Sequence, residues 1–548
     1  MRTFLFALTF SLGFAPVALG QHSAHTTKTE ATEPPAIQMR GMGSHHHPVS
    51  TTNIDAQRFF NQGLSFVFAF NHDEAIRSFK RAAELDPKLA MAHWGIALAL
   101  GPNINLDIDP EREKAAYEAV QKALSLAAEA SEIERAYIDA LVKRYSIDPQ
   151  ADLKKLAVDY KNAMGEVVKR YPDDLDAATL YAESAMNLRP WKFWSADGKP
   201  AEGTEEIVAT LESVLRRDPN HIGAIHYYIH AVEASPSPER ALAYAPQLPT
   251  LIPAAGHLVH MPAHIYARTG DHQAAALSNK YAARVDEAYM NARGAGGHYP
   301  AMYYSHNLHF LAIAESMSGR SAEALSAARQ LDAHVGPHVK TMPMLEGFLT
   351  VSPLLLVRFN RWDDIEKLPA PDKSLAGAAA TWHFARGMAF DAKGRAKQAA
   401  AELDALVAAQ KLIPANSSFG LNSANHVLQI AQKVLSARLV QRSNNNQALE
   451  LLRSAIELED SLAYDEPQAW FLPVREALGA MLLRSGDSAG AEQVFRADLE
   501  KNRRNPRSLF GLTEALKAQK KTQEAVLVKQ QFDTAWKAAD TKLTIDLL

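Results

Sequence analysis

The chain has 548 residues, 47% of them hydrophobic and 22% charged, with 58 Lys+Arg against 62 Asp+Glu; this is an ordinary globular balance with ample core material. A net charge of −4 gives no electrostatic footprint for a polyanion, which argues against nucleic acid or an anionic membrane surface as the main partner. There is no cysteine, so disulfides, thiolate metal sites and thiol nucleophiles are excluded together, and any metal must be held by His and carboxylate.

In chain order, the first element is an address. Arg2 precedes an apolar run from Phe4 to Phe14, and Ala18 and Gly20 supply small residues before Gln21, which predicts a signal peptide over 1–20 and a periplasmic or secreted protein. The run is too short to span a bilayer, and no longer one follows. Residues 21–53 are polar and aperiodic, with His22, His25, Met39, Met42 and the run His45-His46-His47. Such a segment cannot bury enough apolar surface to fold alone and reads as a disordered linker. As a His/Met-rich tract it can also gather Cu or Zn loosely.

From residue 54 onward the pattern is helix followed by helix. Gly63, Phe66, Ala75, Phe79, Ala82 and Pro87 fall at the spacings of a 34-residue helix-turn-helix unit. Small residues let two antiparallel helices approach, the phenylalanines fill the gap, and Pro87 ends the second helix. The skeleton recurs as Gly387, Phe390, Gly394, Ala399, Leu403 and as Gly479, Leu482, Gly486, Ala491, Phe495, with weaker copies near Met91, Asp174, Asn220, Ala255, Ser305, Ser423 and Arg507. These strings resemble the tetratricopeptide-repeat superfamily over most of 54–548. The predicted fold is an all-α, right-handed α-solenoid, divided into N-terminal repeats (54–170), a central His-rich part with insertions (171–372) and C-terminal repeats (373–548).

The chemistry sits in the centre. Of 21 histidines, His226, His230, His257, His260, His264 and His272 lie close together, and His306 and His309 follow. His226 to His260 and His230 to His264 are each one whole repeat apart, so equivalent positions of adjacent repeats should stack. Gly270, Ala275 and Ala241 set the register without using the histidines, and place units near Ile222, Gly256 and Ser305. The tetratricopeptide resemblance implies that the first-helix positions holding these side chains line a concave groove. Pro262 should break the helix between His260 and His264.

Imidazole-rich, thiol-free clusters with a carboxylate suit a transition metal, Cu, Zn or Fe, and His at i and i+4 is the usual way a helix presents two ligands. The foremost ligand candidates are His226, His230, His260 and His264; Glu233, His257, His306 and His309 follow as further ligands or as groups that orient them. Arg268, His298 and Tyr303 are candidates for contacts to a bound ligand, with the insertion 293–300 as a lid over the groove. The competing readings are histidines that only line a peptide groove, and a pH-sensing cluster.

Several local matches carry no chemistry. Gly486-Asp487-Ser488-Ala489-Gly490 fits the nucleophile-elbow string but occupies the turn of a repeat. No His-Glu-x-x-His is present, and the glycines at 294–297 lack the Gly-Lys-Ser/Thr ending of a phosphate loop. The strings 94–102 (WGIALALGP), 226–233 (HYYIHAVE) and 257–264 (HLVHMPAH) resemble a branch of exported bacterial tetratricopeptide proteins. The expected function is a binding or scaffold protein with a His-rich metal site and a protein or peptide partner in its groove. The alternatives are a metal-dependent enzyme, oxidoreductase before hydrolase, and a metal-free peptide scaffold; the lack of a second catalytic constellation favours binding.

Overall fold

Short polar caps start the helices where the sequence places its turns. Asn53 accepts the N–H groups of Asp55 and Ala56 at the head of Ile54–Phe68, and Asn71 accepts that of Glu74 in His72–Leu85; each satisfies donors that a helix start leaves open. Asp487 caps Ser488–Lys501 in the same way, so the elbow-like string is a helix start with no strand before it. The computed structural model describes residues 36–294 and 297–548. The expected signal peptide and the first part of the linker lie outside the described residues.

Packing explains the repeat spacing. Phe79 is fully buried between Gly63 of its own repeat and Gly95 of the next; a Cβ on either glycine would come within 2.7 and 2.5 Å of the ring. Phe495 is gripped likewise by Gly479 and Gly511, where a Cβ would stand 2.5 and 2.2 Å away. In these two repeats one aromatic from the second helix thus wedges between two first helices, and only glycine leaves room for it. The described residues form an all-α solenoid of antiparallel helix pairs packed in series. Its strand content among the described residues is one short hairpin, Ser418–Phe419 with Asn422–Ser423.

The central units depart from the pattern where proline intervenes. The second helix expected around Ala241 is a series of short turns, Pro238–Ala243, Ala245–Gln247 and Leu248–Leu251, because Pro246 and Pro249 remove backbone donors. Pro262 divides the next first helix into Gly256–His260 and Pro262–Thr269.

The superhelical path brings distant repeats into contact. Arg503 pairs with Glu239 at 2.9 Å and donates to the Pro236 carbonyl at 3.0 Å, while Trp536 packs on Gly319. No helix among the described residues is long and apolar enough to cross a membrane.

Residues 36–53 differ from the expected disordered linker. They form a strap without regular secondary structure, yet Met42, His47 and Val49 are buried. The Met39 N–H donates to Gln62 Oε1 at 2.7 Å, the Ser50 N–H to Glu134 Oε1 at 2.7 Å, and the Ala254 N–H to the Gly41 carbonyl at 3.0 Å. Composition measures what a segment can bury by itself; this one takes its partners from helices already folded.

Candidate metal centre

Helix Ile222–Val232 is buried along its whole length and carries His226 and His230 one turn apart on one face. Their Nε2 atoms lie 3.1 Å apart. His257, from the head of the neighbouring repeat, brings its Nε2 to 3.0 Å from that of His226. Beside this trio a second one forms: His260 Nε2 lies 2.7 Å from His264 Nε2 and 3.1 Å from that of His306. The break at Pro262 does not separate His260 from His264.

The opposite ring nitrogens settle which atoms are free. His226 Nδ1–H donates to the Phe68 carbonyl at 2.6 Å, and His230 Nδ1–H to Glu233 Oε1 at 2.7 Å. His264 Nδ1–H donates to Glu233 Oε2. His260 Nδ1–H donates to Asn279 Oδ1 at 2.7 Å, whose amide is oriented by its own NH2 donating to the Ala275 carbonyl at 2.8 Å. Four imidazoles therefore hold their proton on Nδ1 and turn an Nε2 lone pair inward. Acceptors of this kind, facing one another at about 3 Å, need a cation or an extra proton between them.

Burial, and after it the neighbouring imidazoles, holds His226, His257, His260 and His306 well below the usual histidine range. His230 is lowered as well, burial outweighing Glu233. His264 alone is raised, because the Glu233 charge overcomes burial there. Glu233 is itself held far below the carboxylate range, its burial overcome by His264 and His230. Neutral imidazole is the form that binds metal.

Both trios open on one cavity of about 330 Å³, lined by His230 and His257 from the first and by His264 and His306 from the second. His226 and His260 stand behind. Phe70, at φ +55 in the turn after the first helix, stacks on His257 with ring centres 5.5 Å apart and meets His226 edge-on at 4.5 Å. Trp191 stands edge-on to His230 at 5.2 Å. From the C-terminal repeats, the Tyr464 hydroxyl lies 3.2 Å from Glu233 Oε2 and 3.1 Å from Glu466 Oε2. Burial pushes Asp465 and Glu466, in the cavity wall, up to about 7.

The structure rearranges the expected site. His226, His230, His260 and His264 do not surround one point; they divide between two sets of three, each completed by a residue of the second rank. Glu233 faces the Nδ1 side of His230 and His264, away from the converging Nε2 atoms, and with those two rings it makes a further set of three possible ligand atoms. His309 joins neither set; it lines the cavity against Phe348, with ring centres 5.6 Å apart. His272 borders a different pocket with Phe310.

Arg268 donates from Nε to the Glu233 carbonyl at 2.9 Å and lies over the Tyr464 ring, which ties it into the packing. His298 and Tyr303 both line the cavity. Tyr303 is buried and packs on His257 with ring centres 4.8 Å apart, as part of the π-type turn Pro300–Tyr304, so this end of the insertion is a packed wall. Phe70, Asn279, Tyr464 and Glu466 carry no sequence signal, since each reaches the centre only through tertiary packing.

No family model matches the chain, and no curated protein is similar to it in sequence. Among solved structures it is similar to the human IFIT1 dimer with PPP-AAAA, at 12% identity over 89% of this chain and 92% of that one, TM-score 0.34. It is similar to yeast Tom70 at 12% over 87% and 92%, TM-score 0.29, and to the P58(IPK) TPR domain at 11% over 86% and 99%, TM-score 0.22. Superpositions of this quality carry no argument about what the chain does.

Proposed function

We propose that this protein is an exported solenoid that binds two transition-metal ions, one in each set of three imidazoles, with Glu233 orienting a histidine of each. The observation that carries the reading is the tautomer pattern: His226, His230, His260 and His264 commit Nδ1–H to a carbonyl, an amide or a carboxylate and turn Nε2 toward the trios. Imidazole ligands whose far nitrogen is held by such an acceptor are the usual arrangement around Zn and Cu. Export rests on the N-terminal segment 1–20, and the flanking repeats serve as caps and partner surfaces.

Elemental analysis by plasma mass spectrometry tests this on the purified chain after exposure to Cu, Zn or Fe. Two ions per chain are expected at the paired trios, the metal content falling by one in His226→Ala and by one in His260→Ala. Unchanged metal content in both folded variants would sink the reading.

The cavity favours a metal-dependent oxidoreductase as the second reading. It reaches two imidazoles of each trio and leaves room at both for a further ligand, as catalytic sites require. Its volume suits a small molecule, and Trp191, edge-on to His230, stands in its wall.

A further inference from the structure

A second group of metal-ligating side chains lies apart from the paired trios. It forms where the strap crosses the starts of helices Leu175–Met186 and Ile222–Val232. Asp176 stands in the first turn of one and His221 at the head of the other, and both are more than nine-tenths buried. His45 comes from the strap. Its Nε2 lies 3.1 Å from Asp176 Oδ1, and His221 Nε2 lies 3.2 Å from the same oxygen.

These distances suit hydrogen bonds, but the directions do not. His45 Nε2, His221 Nε2 and Asp176 Oδ1 are all buried and all lack a hydrogen-bond partner. Two imidazole nitrogens and one carboxylate oxygen, buried together and poorly aligned for hydrogen bonding, are donor atoms that a shared cation can use. Donor separations near 3.1 Å are those of ligands on one ion at about 2.0–2.2 Å. His47 Nδ1–H donates to the other oxygen, Oδ2, at 2.8 Å, which turns Oδ1 toward His45 and His221. A cavity of about 620 Å³, bordered also by Asp173, Asp174 and Asp218, opens on the group, so water can complete the coordination and the surroundings attract a cation.

We propose that His45, Asp176 and His221 form a further metal site for a divalent transition ion, independent of the paired centre. Two imidazoles and one carboxylate with open positions suit Zn(II) or Fe(II). Binding has one local cost. His221 Nδ1 accepts the Ala224 N–H at 3.2 Å, so a neutral ring carries its proton on Nε2. The ion displaces that proton, the ring is protonated at Nδ1, and the Ala224 contact is given up; one cap bond is a small loss beside a metal–imidazole bond. The ion ties the strap to the helix that carries His226 and His230.

The test uses the full chain with His226→Ala and His260→Ala, so that the paired centre is disabled, and titrates it with Zn(II) and Co(II) under chelator competition. One ion should remain, with a Co(II) absorption spectrum of mixed imidazole and carboxylate ligation. Its affinity should fall at least tenfold with His45→Ala or Asp176→Asn and stay unchanged with His46→Ala, an exposed ring bonded to Asn61. If the double variant does not fold, His45→Ala in the otherwise unaltered chain should lower total metal by one ion. A folded protein with no ion at the strap, or one whose binding ignores both His45→Ala and Asp176→Asn, overturns the proposal whatever the paired centre does.

Discussion

His260 and His264 bring their Nε2 atoms to 2.7 Å although both rings spend their Nδ1–H elsewhere, on Asn279 and on Glu233. His226 and His230 repeat the relationship at 3.1 Å. In the second pair burial keeps both rings neutral, so a shared proton is disfavoured and a metal ion is the better cation for the gap.

Ion binding should therefore stabilise the fold. At metal 100-fold above its Kd the gain is about 2.7 kcal/mol per site. Calorimetry with and without a strong chelator should show a lower Tm in the chelator, and a smaller difference in His226→Ala. Equal Tm values in both conditions would count against tight binding.

Glu233→Gln keeps the size of the side chain but supplies only one acceptor oxygen for His230 and His264. One ring must lose its orientation, and affinity at that site should fall about 10–100-fold. Competition titrations would show one weakened ion and one nearly unaffected.

Tyr464→Phe removes the hydroxyl that links Glu233 to the C-terminal repeats. The expected loss is about 0.5–1.5 kcal/mol in urea unfolding, with metal stoichiometry unchanged. A variant of wild-type stability would show that this bridge contributes nothing.

Gly511→Ala should destabilise, against the usual helix preference for alanine, because its Cβ would meet the Phe495 ring at 2.2 Å. A loss of about 1–3 kcal/mol is expected. Wild-type stability would disprove the wedge.

Two histidines outside both sites set an acid limit. His72 is lowered to about 3 and His272 to about 4, each mainly by burial and then by nearby arginines. Because their folded values lie below the unfolded 6.5, the unfolded chain binds the extra protons. Their contribution is complete above about pH 6.5 and is lost as pH falls toward 4, with a slope approaching ~1.4 kcal/mol per pH unit for each ring. Denaturation of the metal-free protein across pH 4–7 should show at least this slope, because the lowered histidines of the cluster add to it, and His272→Asn should reduce it by one ring's share.

Local physics made the repeats legible in the sequence. Gly63, Phe79, Gly479 and Phe495 stand at spacings that only a close-packed helical pair explains, and the units starting at Ile222, Gly256 and Ser305 are where helices begin. The 34-residue separations of the histidines placed them on adjacent repeats. Their grouping was not legible, because a difference of one helical turn decides whether His257 or His260 joins His226. Tertiary structure alone decided that Glu233 orients two histidines, that Tyr464 closes over it from 231 residues away, and that His45 and His47 of a polar strap converge on Asp176. Periodicity records which face a side chain takes on its own helix; ring tautomers and contacts between distant segments depend on where the whole chain brings those faces together.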